Sequence, residues 1–557
     1  MNKTIGSGIF TQPYNVVSGV GNPAAALLLW IAAALIVWCI SICWVELGLS
    51  IPRHRVAHRH VSTPKSGGDK NYLEYIFTVP DFFISCVYGI TFLIFGNLAG
   101  NAIQFGVYMQ TAINPNCQEG CMRSGPVVGW ALGVLIFCAL INIITPKGSI
   151  LINNMFAVLK VSLVIIMIFL GIGWSLKWGG EGCKSIKWEY KGKVGGFGDV
   201  VQALTFAIYP STGFEQPFYV LAEVRRPKTL FAPTVMSTMA LILVLNPLIN
   251  TSYFCANPYQ GSNIRSGPNS LNTTNAAINF FWTISGGRAS DGGQGLLRGA
   301  SVLFALSIFG NLLAVIYTAP RVKQEIAKEG ILPKSLFFAA SKDSLLSRLF
   351  TKNPADKEQA PIPATALHLM FEIILVLSVG LSLAPGEAYN TLTYLYTYVI
   401  TGILGFLAVV GLLYLKVDAW LKPQTGRRWN QKREYRPMLD PLPCIVAVVS
   451  LGLVLFGAFA KTSVVVTDGQ PGWLKPAVGW CGLSLGVIWW LGMELRQWKG
   501  QYRIRRERIT YVEAVDDADP VQTAEMVIVE KEYSSQHHWP ADNLSQQGHR
   551  VFISVIH

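Results

Sequence analysis

Charge is scarce in this sequence: 14% of its 557 residues are Asp, Glu, Lys or Arg, while 51% are hydrophobic. That balance excludes an ordinary soluble domain of this length. Cysteine is unorganised as well. Ten cysteines occur without a CxxC pair, and Cys39, Cys43, Cys86, Cys138, Cys444 and Cys481 lie inside apolar runs, where a thiol is a small packing side chain. No zinc site and no cofactor follow from them. The chain does not open on a basic stretch followed by an uninterrupted apolar core, so no cleavable signal peptide is expected. No catalytic or metal constellation stands on any apolar segment, which argues against an enzyme.

What is present is apolar length. Runs of about 20 apolar residues, enough to cross the hydrocarbon core as helix, recur at 24–51, 80–109, 125–145, 149–174, 199–224, 230–256, 296–320, 363–384, 387–416, 441–461 and 474–495. Thr4 to Val20 adds a twelfth if its glycines are accepted, and an even count puts both termini on one side. The net charge of +13 then has a location. With the N-terminus in the cytosol, the inner loops hold Arg53, Arg55, Arg59, Lys65 and Lys70, then Arg225, Arg226 and Lys228. They also hold Arg321, Lys323, Lys328 and Lys334, then Arg427, Arg428, Lys432 and Arg433, and finally Arg496 to Arg508. Such an excess marks cytoplasmic loops. The lysine-bearing 175–198 loop is an exception, partly balanced by Glu181, Glu189 and Asp199. The sequon Asn272-Thr273-Thr274 falls on the outer face in this orientation. A transmembrane domain over 1–498 and a cytosolic, largely disordered tail over 499–557 are expected.

Two segments resist continuous helix. Thr4-Ile5-Gly6-Ser7-Gly8-Ile9-Phe10, followed by Pro13, carries two glycines at membrane depth, where unwound backbone is tolerated only if it lines a cavity or is buried in protein. Glycines alone would equally serve close helix packing. In the sixth span, Pro210 removes a backbone donor and Gly213 follows three residues later, so this helix too is expected to break. Matching interruptions in two halves of a chain point to an inverted-repeat transporter with its site at the midplane.

Gly6-Ser7-Gly8-Ile9-Phe10, Glu46-Leu47-Gly48 with Ile51-Pro52, Ser66-Gly67-Gly68 with Tyr72-Leu73, Glu223-Val224 with Pro227, and Arg321 with Ala327 to Pro333 together resemble the amino acid–polyamine–organocation permeases over about residues 4–500. The Gly-Gly-Asp-Lys-Asn-Tyr-Leu-Glu-Tyr run and the loop from Arg321 to Pro333 are similar to the L-type and fungal methionine-permease branch. The resemblance implies an all-α integral membrane protein of about 12 helices with a leucine-transporter-type fold. Its inverted repeats of five helices would cover about 1–195 and 196–418, with two accessory helices at about 441–495 and helices 1 and 6 broken. It implies a secondary transporter of amino acids, such as methionine, in the plasma membrane, working by alternating access. The substrate carboxylate would meet Gly6, Ser7 and Gly8, and its amino group the carbonyls of Ile5 and Ile208 to Ser211. Thr212, Gly213, Phe214 and Asn97 are candidates for the rest of the site.

Ionisable residues in the spans are few. Lys160 lies too deep in the fifth span to snorkel and should face the interior. It matches a lysine that in some family members stands where relatives bind sodium, so proton coupling is expected there. Glu215, two residues past Gly213, would either titrate or cap the following half-helix. Glu46 and Glu223 are expected in ion pairs with Arg53, Arg225 and Arg226. Glu372, near the middle of the ninth span, has no assigned part.

The sequence departs from the family in its short lead before Gly6 and in the Arg53–Lys65 insertion with His54, His58 and His60, as a missed first exon and a retained intron would produce. The alternatives to transport are an amino-acid sensor of the same fold, or the light subunit of a heteromer joined through Cys117 or Cys121. The short tail and the closeness of these two cysteines disfavour both, so no heavy-chain partner and no nucleic acid are expected.

Overall fold

In the computed structural model, the chain is described except for residue 1 and the stretches 57–58, 63, 116–121, 178–180, 185, 187–194, 225, 258–274, 286–290, 352, 354–356, 424–426, 463–471, 515–519, 534–550 and 557. Nine helical stretches among the described residues are long and apolar enough to cross a membrane, with Phe83–Ile113 and Pro385–Leu421 each taken as one.

The chain enters through α1 (Gly8–Thr11) and α2 (Pro13–Val20), closed by Gly21 in left-handed geometry. Asn22 then starts α3 (Pro23–Ser50): its side chain accepts from the Ala25 N–H at 3.0 Å, and Pro23 sits where no donor is needed. A two-stranded hairpin, β1 (Arg53–Val56) with β2 (Arg59–Ser62), occupies the inserted segment. After α4 (Asp69–Ile76), the third span is two helices, α5 (Phe83–Phe95) and α6 (Ala99–Ile113), with Gly96 to Leu98 outside helical geometry. Sequence hydropathy treats 80–109 as continuous, because an apolar composition carries no sign of a break.

There follow α7 (Ser124–Ile144), α8 (Pro146–Lys177), α9 (Glu181–Lys184) and α10 (Phe197–Ile208). A tight turn at Tyr209–Ser211 and a non-helical stretch through Gly213 separate α10 from α11 (Gln216–Tyr219). Then come α12 (Pro227–Ala256), α13 (Ala276–Ile284), α14 (Asp291–Ala327), α15 (Ser335–Ala339), α16 (Leu345–Phe350) and α17 (Ile362–Ser382), with the two-residue strands β3 (Lys342–Asp343) and β4 (Gln359–Ala360) pairing on either side of α16. α18 (Pro385–Tyr396) and α19 (Gly405–Leu421) are joined through a wide π-helical stretch at Thr397–Leu404. α20 (Trp429–Lys432), α21 (Leu442–Gly457) and α22 (Leu474–Gly500) complete the helices.

Beyond Gly500 the expected lack of regular structure is not what the described residues adopt. β5 (Tyr502–Ala514), β6 (Pro520–Tyr533) and β7 (Val551–Ile556) form an antiparallel sheet. The helical apolar period ends there, but Ile509, Thr510, Tyr511 and Val512 favour strand.

The core is the surface shared by these helices. α6 packs against α7, α14 and α18, and α3 against α10, α12 and α21. Leu28, Leu35, Phe137, Leu140, Val158 and Phe169 remain exposed on the outside, as suits side chains whose solvent is lipid. A disulfide joins Cys183 of α9 to Cys255 of α12. These are two cysteines that the apolar-run argument leaves unassigned. Cys117, Cys121, His58 and the sequon at Asn272 lie outside the described residues.

Candidate functional site

The two irregular segments touch. Gly8 lies against the Tyr209–Pro210 corner, so that a Cβ there would come within 2.7 Å of the Tyr209 ring and 2.8 Å of the Pro210 ring. Gly213, with φ of +114°, lies against Lys3 and Thr4, and a Cβ would meet the Thr4 side-chain oxygen at 2.9 Å. At Gly8 the absent side chain leaves room for the Tyr209 and Pro210 rings, and at Gly213 for the side chain and backbone of Thr4. Ile5, Ser7, Ile208 and Ser211 are buried in the same region.

Polar side chains from four other helices converge on these segments. Ser7 Oγ donates to Asn101 Oδ1 of α6 at 2.6 Å, and the Tyr209 hydroxyl donates to the same oxygen at 2.5 Å. Asn101 therefore ties the two irregular segments together. The Tyr389 hydroxyl of α18 lies 2.9 Å from Ser7 Oγ and accepts from Thr11 Oγ1 at 2.8 Å. Asn311 of α14 donates to the Lys3 carbonyl at 3.1 Å, and Asn246 of α12 donates to Ser211 Oγ at 2.9 Å.

Glu215 does not cap α11 as one reading of the sequence has it; its side chain makes no capping bond there. Its Oε2 accepts from the Gly213 N–H at 2.8 Å instead, while Oε1 accepts from the Tyr396 hydroxyl at 2.9 Å and pairs with the Lys3 ammonium. Lys3 Nζ also stands 4.1 Å from the centre of the Tyr396 ring. Lys160 is fully buried and donates to the Asn2 carbonyl at 2.7 Å, which anchors α8 to the segment ahead of Gly6.

The space between the segments, lined by Lys3, Thr4, Gly6, Gly8, Asn101, Tyr209, Pro210 and Thr212, is too small for one water molecule. Two expected site residues are engaged elsewhere. Phe214 packs edge-on against Trp44 at 5.5 Å. Asn97 serves the interruption between α5 and α6, donating to the Ile94 carbonyl at 2.6 Å and accepting from the Ala99 N–H at 3.2 Å. Sequence reasoning missed Lys3, Asn101, Asn311, Tyr389 and Tyr396, and of Tyr209 it expected the carbonyl but not the ring and hydroxyl. Tyr209 had a usable signal, since it precedes the helix-breaking proline. A single polar residue in an apolar run, such as Asn101, has none without its partners.

Other acidic residues find partners far along the chain. Glu46 pairs with Lys416 at 2.7 Å and Arg433 at 3.3 Å and accepts from Trp429 at 2.9 Å, while Glu223 pairs with Arg321. Arg226 is not among these partners, and Arg225 and the side chain of Arg53 lie outside the described residues. Asp440 joins Lys416 and Arg433; burial would raise its carboxyl, but the hydrogen bonds and charges of those two bases carry it below the usual range. Asp69 accepts from the Trp44 indole N–H, and burial pushes its carboxyl up to about 7.

The description of amino acid permeases matches residues 1–480. The chain belongs to the amino acid permease family. It is similar to the high-affinity methionine permease of Saccharomyces cerevisiae, at 29% identity over 77% of this chain and 66% of that one. The low-affinity methionine permease of the same yeast is 25% identical over 86% of this chain and 77% of the relative. The large neutral amino acids transporter small subunit 2 of Homo sapiens is 25% identical over 88% and 76%. The family and these relatives are transporters rather than enzymes, and the permease is a multi-pass membrane protein of amino-acid transport whose helices are long and apolar enough to cross a membrane.

Proposed function

We propose that this permease is a secondary active transporter of neutral L-amino acids, with methionine as the leading substrate, driven by a proton gradient through alternating access. The observation that carries the site is the contact of Gly8 with Tyr209–Pro210 and of Gly213 with Thr4, two irregular backbones meeting inside a bundle of apolar helices. The first amide groups of α1 have no carbonyl partner within their own helix and suit a carboxylate. Ile5, Gly6, Ser7 and Gly8 on one side and Ile208, Ser211, Thr212 and Gly213 on the other would hold the α-amino and α-carboxylate groups. For a substrate to fit, the Tyr209 ring has to move off Gly8.

The proposed architecture is two inverted repeats of five helices, about 1–195 and 196–418, followed by accessory helices at about 441–495. The proposed site is the plasma membrane with both termini in the cytosol. The Cys183–Cys255 bond supports that orientation, because disulfides persist on the oxidising side of a membrane. Lys160 supplies a fixed cation in place of sodium and Glu215 a carboxylate that senses the site. The deciding experiment is uptake of a labelled amino-acid panel into proteoliposomes, with and without a pH gradient and with sodium replaced. Methionine accumulation that follows the proton gradient and ignores sodium is expected. Binding without uptake would make the chain a sensor, and sodium-dependent uptake would reject the coupling.

A further inference from the structure

The interruption between α5 and α6 leaves carbonyls at the end of one half-helix and amides at the start of the next without helical partners. Two charged side chains from other helices meet them. Lys323 Nζ of α14 donates to the Leu93 carbonyl at 3.3 Å, and Glu372 Oε1 of α17 accepts from the Leu98 N–H at 3.1 Å. The cation stands at a helix C-terminus and the anion at an N-terminus, the favourable sense for each dipole. One turn before Glu372, His368 places Nε2 at 3.5 Å from the same carboxylate oxygen. All three side chains have 0% exposure. Yet both nitrogens of His368 and Oε2 of Glu372 have no hydrogen-bond partner among the described residues.

Three unmet polar atoms on two adjacent side chains, buried among apolar helices, are costly unless something else visits them. A single proton has the right chemistry. With the proton of a neutral imidazole on Nδ1, Nε2 and the carboxylate oxygen 3.5 Å away are two facing acceptors, and one added proton would bridge them, as O–H to nitrogen or N–H to oxygen.

We propose that His368 and Glu372 form a proton-binding site whose occupancy the substrate site reads through the first turn of α6. A hydronium ion supplies the proton: one of its O–H bonds breaks and leaves water, an O–H bond forms on Glu372, and that hydrogen is shared with His368. The carboxylate loses its charge, so its hold on the Leu98 N–H weakens. Asn101 stands three residues further on, and its amide oxygen is the shared acceptor for Ser7 and Tyr209. The break in the third span thus links a protonation to the contact between the two irregular segments.

Of the elements packed on α17, α14 brings Lys323 and α7 brings the Cys138 thiol, while α5, α6 and α15 carry no acidic or basic residue. Cys86 faces Met493, Tyr88 stacks on Phe92, and Tyr108 bonds Asn275. On α18, Glu387 lies in the first turn, and Tyr389, Tyr394 and Tyr396 face Ser7, Phe206 and Glu215. Like any proton site it fills in acid and empties as pH rises, with Lys323 as its neighbouring cation.

The inference uses the proposed transport function only for one readout. The test is methionine binding to the full-length protein in nanodiscs between about pH 5 and 8, the range in which an imidazole ordinarily titrates, with infrared spectra recorded on the same samples. The wild type is expected to change affinity by roughly tenfold over that interval, equivalent to one unit of pKa linkage. E372Q, fixed in the neutral form, should bind with the acid-limb affinity throughout and lack one protonated-carboxyl band. H368N should keep the band and shift its midpoint. A wild-type profile and band in both variants overturns the proposal. Should E372Q not fold, an unshifted band in H368N overturns it alone. If the wild type binds no methionine at any pH, the functional reading fails, while the carboxyl band still decides the proton site.

Discussion

Gly8 has no room for a side chain, and the atoms that crowd it belong to Tyr209 and Pro210. In the Gly8→Leu variant the added side chain would force the two segments apart at the place where a substrate carboxylate is proposed to lie. Methionine affinity is expected to fall on the order of 100-fold or more, as an ångström of misplacement in a site can produce. The rest of the bundle should stay folded, which size-exclusion behaviour checks. Retained affinity would remove backbone recognition from the account. Asp69 makes a different prediction. Its carboxyl is pushed up to about 7, above the value of 3.8 expected when unfolded, because burial disfavours the charged form. A raised acid contributes its stability fully below the unfolded value and loses it as pH rises to the folded one. The Asp69→Asn variant should therefore gain thermal stability relative to wild type progressively between about pH 4 and 7, by up to about 4 kcal/mol. An unchanged difference in melting temperature across that interval would contradict the assignment.

At the scale of elements, the fifth span carries its prediction in Lys160. This side chain holds the Asn2 carbonyl, so α8 is fastened to the segment that leads into Gly6. With alanine in its place, gradient-driven accumulation is expected to collapse while equilibrium methionine binding changes little. A parallel loss of both would mean that Lys160 only holds helices together. The amphipathic and apolar periods make most helices legible in the sequence, because a span needs only length and composition: 24–51 lies within a residue of α3, and 363–384 within two of α17. Proline and glycine likewise mark the irregular stretch at 209–213, since both act through the local backbone. The interruption at Gly96 to Leu98 escapes that logic. It is stabilised by Lys323 and Glu372, which lie more than two hundred residues away in sequence. The same reason hides Asn101, Tyr389 and Lys3, each of which becomes a site residue only through side chains from other helices.

On the scale of the whole molecule, long-range ion pairs link parts that local reading assigns to their neighbours. Glu46 on α3 draws in Lys416 of α19 and Arg433 beyond α20, while Lys65 reaches Glu325 near the end of α14 and Lys70 reaches Glu329 just past it. Breaking a buried pair strands its other half, at a cost of roughly 3–5 kcal/mol. These links therefore tie α3 to α19 and to the stretch after α20, and the segment leading into α4 to the end of α14. The closed contact between Gly8 and the Tyr209–Pro210 corner bears on the permease as an insulator. A membrane at 100 mV stores about 2.3 kcal/mol for each charge that crosses it. A site too tight for a single water molecule breaks any file of water along which protons could hop. If the proposed site lies on the transport path, Tyr209 resting on Gly8 would plug it against leakage, and a cell that stores energy in its membrane would keep that store whenever the permease is idle.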